Sequence, residues 1–343
     1  LIAVAGASLL TAAAPADDLA SLRIRLVALA QQERAGLAKA RAAAERLTAL
    51  NSAEAALKVR MGANQTSLTK LLSALQSYQR DPPPALLVSP RSARDAVNAA
   101  ILMRAVTPIL QARAGRFADE ARRLNALRRE VLIADGAFLG AEHDVADRRA
   151  EIEALSEEKA RIEDRTNPEM ASQADDAKRI GTLAGSVDEL VRAVSGSGDD
   201  AASKAGATPL HLTPPLAGAP VRRFGDPFPA HGRSEGWSWR AADGALVVSP
   251  AAGRVDYAGP LKGWGFVVIL RHPGGYHLVL AGLDRVNARI GSEMAAGEPV
   301  GRIARPAATG PGRPPATSEL YMEIRRGAQP IDPAGLFPVK VGG

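Results

Sequence analysis

The sequence has no cysteine among its 343 residues. Disulfide cross-links and thiolate chemistry, whether nucleophilic or metal-binding, are therefore excluded. Nor does it contain the run of about 20 apolar residues that a membrane-spanning helix needs; its longest such stretch is Leu1 to Leu10. Aromatic residues make up only 4%, and no basic run with interleaved aromatics occurs, so the net charge of +6 does not point to nucleic acid. That charge is unevenly placed, since residues 219–343 hold 15 Lys and Arg against 10 Asp and Glu. Anionic envelope polymers or an acidic protein surface are the partners it suits.

The length implies more than one folded unit. Residues 1–16 read as the end of a signal peptide, with Ala14-Pro15-Ala16 as a small-x-small cleavage site, which predicts export to the periplasm. From Leu22 a three-four spacing runs through Leu26, Leu29, Ala40, Ala43, Leu47, Leu50, Leu57, Met61, Leu68, Leu71, Leu75 and Tyr78, interrupted at Glu33, Gly36, Glu54 and Asn64. A second register runs through Phe117, Leu124, Leu127, Val131, Ala134, Phe138, Ala141, Val145, Ile152, Leu155 and Ile162, interrupted at Glu120, Arg148 and Lys159. Heptads sustained this long predict a long antiparallel α-helical coiled coil over residues 17–166.

Asp81-Pro82-Pro83-Pro84 must end the first helix. Ser89-Pro90 then predicts a short helix ending near Pro108. The apolar residues Leu86, Leu87, Val88, Leu102, Met103 and Val106 mark residues 81–112 as a helical tip, either self-packed or a docking surface. Asn167-Pro168 breaks the second coil. Beyond it Ile180, Leu183, Val187, Leu190 and Val191 share helical spacing, predicting an amphipathic arm that must bury its stripe; residues 167–218 form this arm and its linker.

Residues 219–343 carry an ordered set of short motifs. They are Gly236-Trp237-Ser238, Ser249-Pro250-Ala251-Ala252-Gly253-Arg254-Val255, Tyr257-Ala258-Gly259, Gly263-Trp264-Gly265-Phe266-Val267-Val268-Ile269, His272-Pro273-Gly274-Gly275-Tyr276, Ala281-Gly282-Leu283, Gly297-Glu298-Pro299-Val300-Gly301, Ser318-Glu319-Leu320-Tyr321-Met322-Glu323-Ile324-Arg325 and Pro330-Ile331-Asp332-Pro333. Together they resemble LytM/lysostaphin-type metallopeptidases. The resemblance implies a mainly-β domain in which Ser234, Ser238, Glu319 and Tyr321 stand at the metal-ligand positions and Gly282 at that of the catalytic histidine. A catalytic zinc takes three protein ligands and keeps one position open, and of these residues only Glu319 is a good ligand. The implied site is degenerate: no metal, no cofactor and no catalytic residue. His231 and Glu235, four residues apart, are an alternative ligand pair three positions upstream.

Strand alternation puts Leu320, Met322 and Ile324 on one face and Glu319, Tyr321, Glu323 and Arg325 on the other. The first set reads as core. The second, with Ser238, reads as the lining of a partner-binding groove, or in the case of Glu323 and Arg325 as solvated surface charge.

Coiled coil, tip, arm and degenerate LytM domain together resemble the EnvC-type murein hydrolase activators. That resemblance implies a non-catalytic periplasmic activator of peptidoglycan amidases in cell division, with an FtsEX-type inner-membrane complex recruiting the coiled-coil tip and the arm masking the groove. An active metalloendopeptidase with displaced ligands and a peptidoglycan-binding scaffold are the alternatives.

Overall fold

The computed structural model describes residues 15–80, 93–195, 210–228, 232–242, 244–303, 319–327 and 329–338. Two long helices, α1 (Pro15–Arg80) and α2 (Ala93–Thr166), precede two short ones, α3 (Met170–Leu183) and α4 (Val187–Ser195). The strands are β1 (Pro227–Phe228), β2 (Gly232–Arg233), β3 (Gly236–Arg240), β4 (Leu246–Val248), β5 (Gly253–Leu261), β6 (Gly265–His272), β7 (Tyr276–Val286), β8 (Glu293–Met294), β9 (Pro299–Ile303), β10 (Glu319–Arg326) and β11 (Gln329–Ile331). The chain divides into two compact units, one from Gly36 to Val145 and the other from the helix ends on either side of it together with everything after Ala146.

Within the first unit, Ala40, Leu57, Ala134 and Val145 are buried as the heptads require. The interruptions have partners too. Asn64 donates to Glu120 at 3.0 and 3.1 Å, so one exception in each register satisfies the other. Glu54 pairs with Lys58 at 2.7 Å and Arg128 at 3.3 Å. Gly36 admits Val145, whose methyl would lie 3.0 Å from any added Cβ.

The expected short helix does not end near Pro108, because α2 runs through it. Pro108 and Arg104 are both exposed, so water can reach the carbonyl one turn back that proline leaves unbonded. Leu86, Leu87 and Val88 lie outside the described residues. Leu102, Met103 and Val106 fall in α2, with side chains outside them as well.

In the second unit, Leu22, Leu26, Leu29 and Ala30 of α1 pack with Ile152 and Leu155 of α2 and with Leu246 and Val248 of β4. Two of the heptad exceptions here, Glu33 and Lys159, face the β domain. Glu33, fully buried, accepts from Arg149 at 3.0 Å and from Arg302 at 2.9 and 3.2 Å. Lys159 is bonded to Glu298.

The main sheet has the order β11-β10-β7-β6-β5-β8, with β3 also on β10 and β9 joining β7 to β4. Its central strands β6, β7 and β10 are buried on both faces over most of their length, which is why Val267–Leu270 and Leu278–Ala281 are continuous apolar runs rather than alternating ones. Val268, Leu270, Leu278, Leu280, Leu320, Met322 and Ile324 fill the inner core. Val267, Ile269, Val279, Ala281 and Tyr321 belong to a second cluster on the opposite face. A bulge between Val255 and Tyr257 moves Tyr257 from the first cluster to the second.

Candidate functional site

The second face of the sheet carries the candidate site. Three aromatic rings form its floor, with Trp264 4.9 Å and Phe228 6.1 Å from Tyr321 between ring centroids. The Tyr321 hydroxyl donates to Glu323 at 2.8 Å. The Arg325 guanidinium, 2% exposed, is bonded to Glu323, to Asp188 of α4, and to Glu235 at 3.2 Å. Glu323 and Arg325 are thus buried, which overturns the surface-charge alternative.

Burial raises the pKa of Glu323, with Arg325 working against it. Burial likewise pushes the Tyr321 phenol well above its ordinary range, and the Glu323 charge adds to this, so Tyr321 is a donor here rather than a phenolate. For Arg325 burial opposes the charge, but Glu323 and Asp188 outweigh it and hold the pKa above its usual value.

The arm covers this face. Ala177 of α3 and Val187, Leu190, Val191 and Val194 of α4 pack against Tyr257, Leu261, Ile269, Ala281 and Tyr321, with Ile180 partly buried beside them. Full burial of a Val or Leu stabilises by about 1.5–3 kcal/mol, so Val187, Leu190 and Val191 anchor α4. Gly181 lets α3 approach, since an added Cβ would stand 1.9 Å from the Tyr257 hydroxyl.

Leu183 departs from the expected stripe: it is 85% exposed. The arm is two helices rather than one. Ser186 caps the Glu189 N–H at 3.2 Å, and Glu189 reaches back to the Gly185 N–H at 2.7 Å. This reciprocal capping starts α4 afresh and turns Leu183 out of phase with the residues that follow.

The positions at which the resemblance implies metal ligands are engaged otherwise. Ser234 donates to the Gly236 carbonyl at 2.8 Å. Ser238 and Glu319 accept from Arg222 at 3.2 and 3.1 Å, and Tyr321 is committed to Glu323. Gly282 has φ +97°, and a Cβ there would lie 2.3 Å from the Glu319 carbonyl oxygen, so the backbone leaves no room for a general base. Of the alternative pair, His231 lies outside the described residues and Glu235 is bonded to Arg325. Among the described residues no group of three His, Asp or Glu could hold a metal, and the donor set does not fit a divalent cation.

Sequence reasoning missed Arg222, Asp188, Phe228 and Trp264. Asp188 could have been found, because Ser186 and Glu189 have the spacing of a capping box. Arg222 sits in no motif.

Residues 232–333 match peptidase family M23. The murein hydrolase activator EnvC of Escherichia coli is 32% identical over 35% of this chain and 27% of its own length. For the cell division protein DipM of Caulobacter vibrioides the figures are 30%, 36% and 20%, and for the murein hydrolase activator NlpD of Salmonella dublin 30%, 36% and 30%. The matched segment is thus under a third of each relative.

Among solved structures, Csd3 of Helicobacter pylori is 24% identical, covering 39% of this chain and 36% of that one with a TM-score of 0.31. The lysostaphin catalytic domain of Staphylococcus simulans is 18% identical, covering 34% and 87% with a TM-score of 0.28. Residues 232–333, which make up most of the C-terminal β domain, are thus similar to peptidase family M23 and to the murein hydrolase activators EnvC and NlpD.

Proposed function

We propose that this chain is a non-catalytic periplasmic activator of peptidoglycan N-acetylmuramoyl-L-alanine amidases. The outer face of β10 docks the amidase, and α3 and α4 mask that face until released. One observation carries the reading: Tyr321 and Arg325, the residue types that most often dominate protein interfaces, are covered by a short helix of the same chain through Leu190, Val191 and Asp188. A sheet face with no usable metal donors, covered by helices of the same chain, suits protein docking better than peptide cleavage.

In this reading residues 17–166 serve recruitment, 167–218 gating and 219–343 docking, with an FtsEX-type complex engaging the tip. No helix among the described residues is long and apolar enough to cross a membrane. The test is to mix the purified chain with a cognate amidase and dye-labelled sacculi. Dye release that requires both proteins supports the activator reading. Release by this chain alone, or none with any amidase of its own cell, sinks it.

A further inference from the structure

We infer that Arg222 supplies, from within the chain, the positive charge that the M23 likeness assigns to a metal ion. Its backbone puts it there. The Ser238 N–H donates to the Arg222 carbonyl at 2.9 Å, and the Val221 and Arg222 N–H groups donate to the Ser238 carbonyl at 2.7 and 3.4 Å. Residues 221–222 therefore form an extra edge on β3. That strand pairs in turn with β10, with Ser238 opposite Tyr321 and Arg240 opposite Glu319.

From this edge Arg222 Nη1 reaches Ser238 Oγ at 3.2 Å and Glu319 Oε2 at 3.1 Å, while its guanidinium lies 4.5 Å from the centre of the Phe228 ring. One cation touches two of the four implied ligand positions. It also rests on the ring that stacks against a third, Tyr321.

A guanidinium stays charged at any pH the fold survives. A divalent ion brought to the same place would meet that charge and find Glu319 already engaged. Arg222 thus ties β3 to β10 and holds the end of the groove in shape with no metal.

The test is a double-mutant cycle on the full chain, using Arg222→Met, Glu319→Gln and the pair together, with Arg222→Lys alongside. All three tryptophans, Trp237, Trp239 and Trp264, lie in the β domain, so fluorescence reports its unfolding alone. Both partners are partly exposed, at 19% and 34% of their side chains, so Arg222→Met should lower the midpoint by only roughly 2–4 °C. The double variant should recover most of that loss, because removing both charges strands neither. Arg222→Lys should fall between.

A tenfold excess of zinc should leave the wild-type midpoint unchanged. Three results overturn the inference: no loss in Arg222→Met, a double variant as unstable as the single, or stabilisation of the wild type by zinc. Should Arg222→Met fail to fold, Arg222→Lys with and without Glu319→Gln makes the same comparison. No amidase is involved, so the outcome is independent of the activator reading.

Discussion

Replacing Leu190 by alanine should open the arm, and Leu183 provides the control. Leu190 is fully buried in the α4 contact with the sheet, whereas Leu183 is 85% exposed. Truncating a buried leucine costs about 2–5 kcal/mol, and each 1.4 kcal/mol is about tenfold in an equilibrium constant. Even at the low end the undocked population rises roughly 30-fold. Leu183→Ala, at an exposed site, should stay within about 0.5 kcal/mol, near twofold. Asp188→Ala should fall between: it removes one carboxylate from Arg325, but that carboxylate is 47% exposed, and Glu323 and Glu235 remain. About 1 kcal/mol, or roughly fivefold, is expected. Limited proteolysis within residues 170–195 reads arm opening directly, and amidase-driven dye release from labelled sacculi reads its consequence. Tryptophan fluorescence checks that the β domain is intact. The order expected in both assays is Leu190→Ala, then Asp188→Ala, then Leu183→Ala near wild type. Equal behaviour of the two leucine variants in folded protein would refute the masking argument.

Gly181→Ala should also raise activation, because its Cβ would meet the Tyr257 hydroxyl at 1.9 Å; adding Tyr257→Phe should partly restore the closed arm, and no difference between the two would count against α3 as part of the mask. Arg325→Ala should loosen the arm in proteolysis yet lower activation, with a loss of roughly 1–4 kcal/mol in amidase binding, separating it from Leu190→Ala. Truncation of Leu320 or Met322 should instead lower the thermal midpoint, since both sit in the inner core. Acid should weaken the fold through His272 and His277. Burial lowers both pKa values, and at His277 Asp256 opposes this while Arg271 and Arg325 add to it. The unfolded chain therefore binds these protons more tightly, so stability is full above about pH 6.5 and falls below it. Midpoints at pH 7.5 and 5.5 should differ, and less so in a His272→Gln, His277→Gln variant.

The coiled-coil registers were legible, but their interruptions were not. A heptad pattern tells which side of a helix is apolar and assumes that another helix faces it. Glu33 looks like a defect in that pattern because its partner Arg302 lies on β9, far away in sequence. Lys159 is a defect for the same reason, since Glu298 stands at the edge of the β domain. At these positions a sheet packs against the helix pair as well, and only three dimensions show the addition. Pro108 fails differently. Its cost predicts a stop, yet a helix of 74 residues has many other bonds to offset about 3 kcal/mol, and the break in bonding falls on the exposed side.

Alternation along β10 separated core residues from the outer face, because a strand has a period of two whatever surrounds it. It could not tell what covers that face, and the charges of Glu323 and Arg325 suggested water. What covers it is decided by the phase of the arm. Counted as one helix, Ile180, Leu183, Val187, Leu190 and Val191 form a single stripe. The break at Ala184–Ser186 leaves Leu183 in solvent and delivers Val187, Leu190 and Val191 to the sheet. The spacing of Ser186 and Glu189 was the readable sign of that break. The fresh start of α4 also explains why Asp188, polar and adjacent to a buried valine, meets Arg325: it stands in the first turn of α4 at the rim of the contact, where its carboxylate can neutralise a buried guanidinium while remaining half in water.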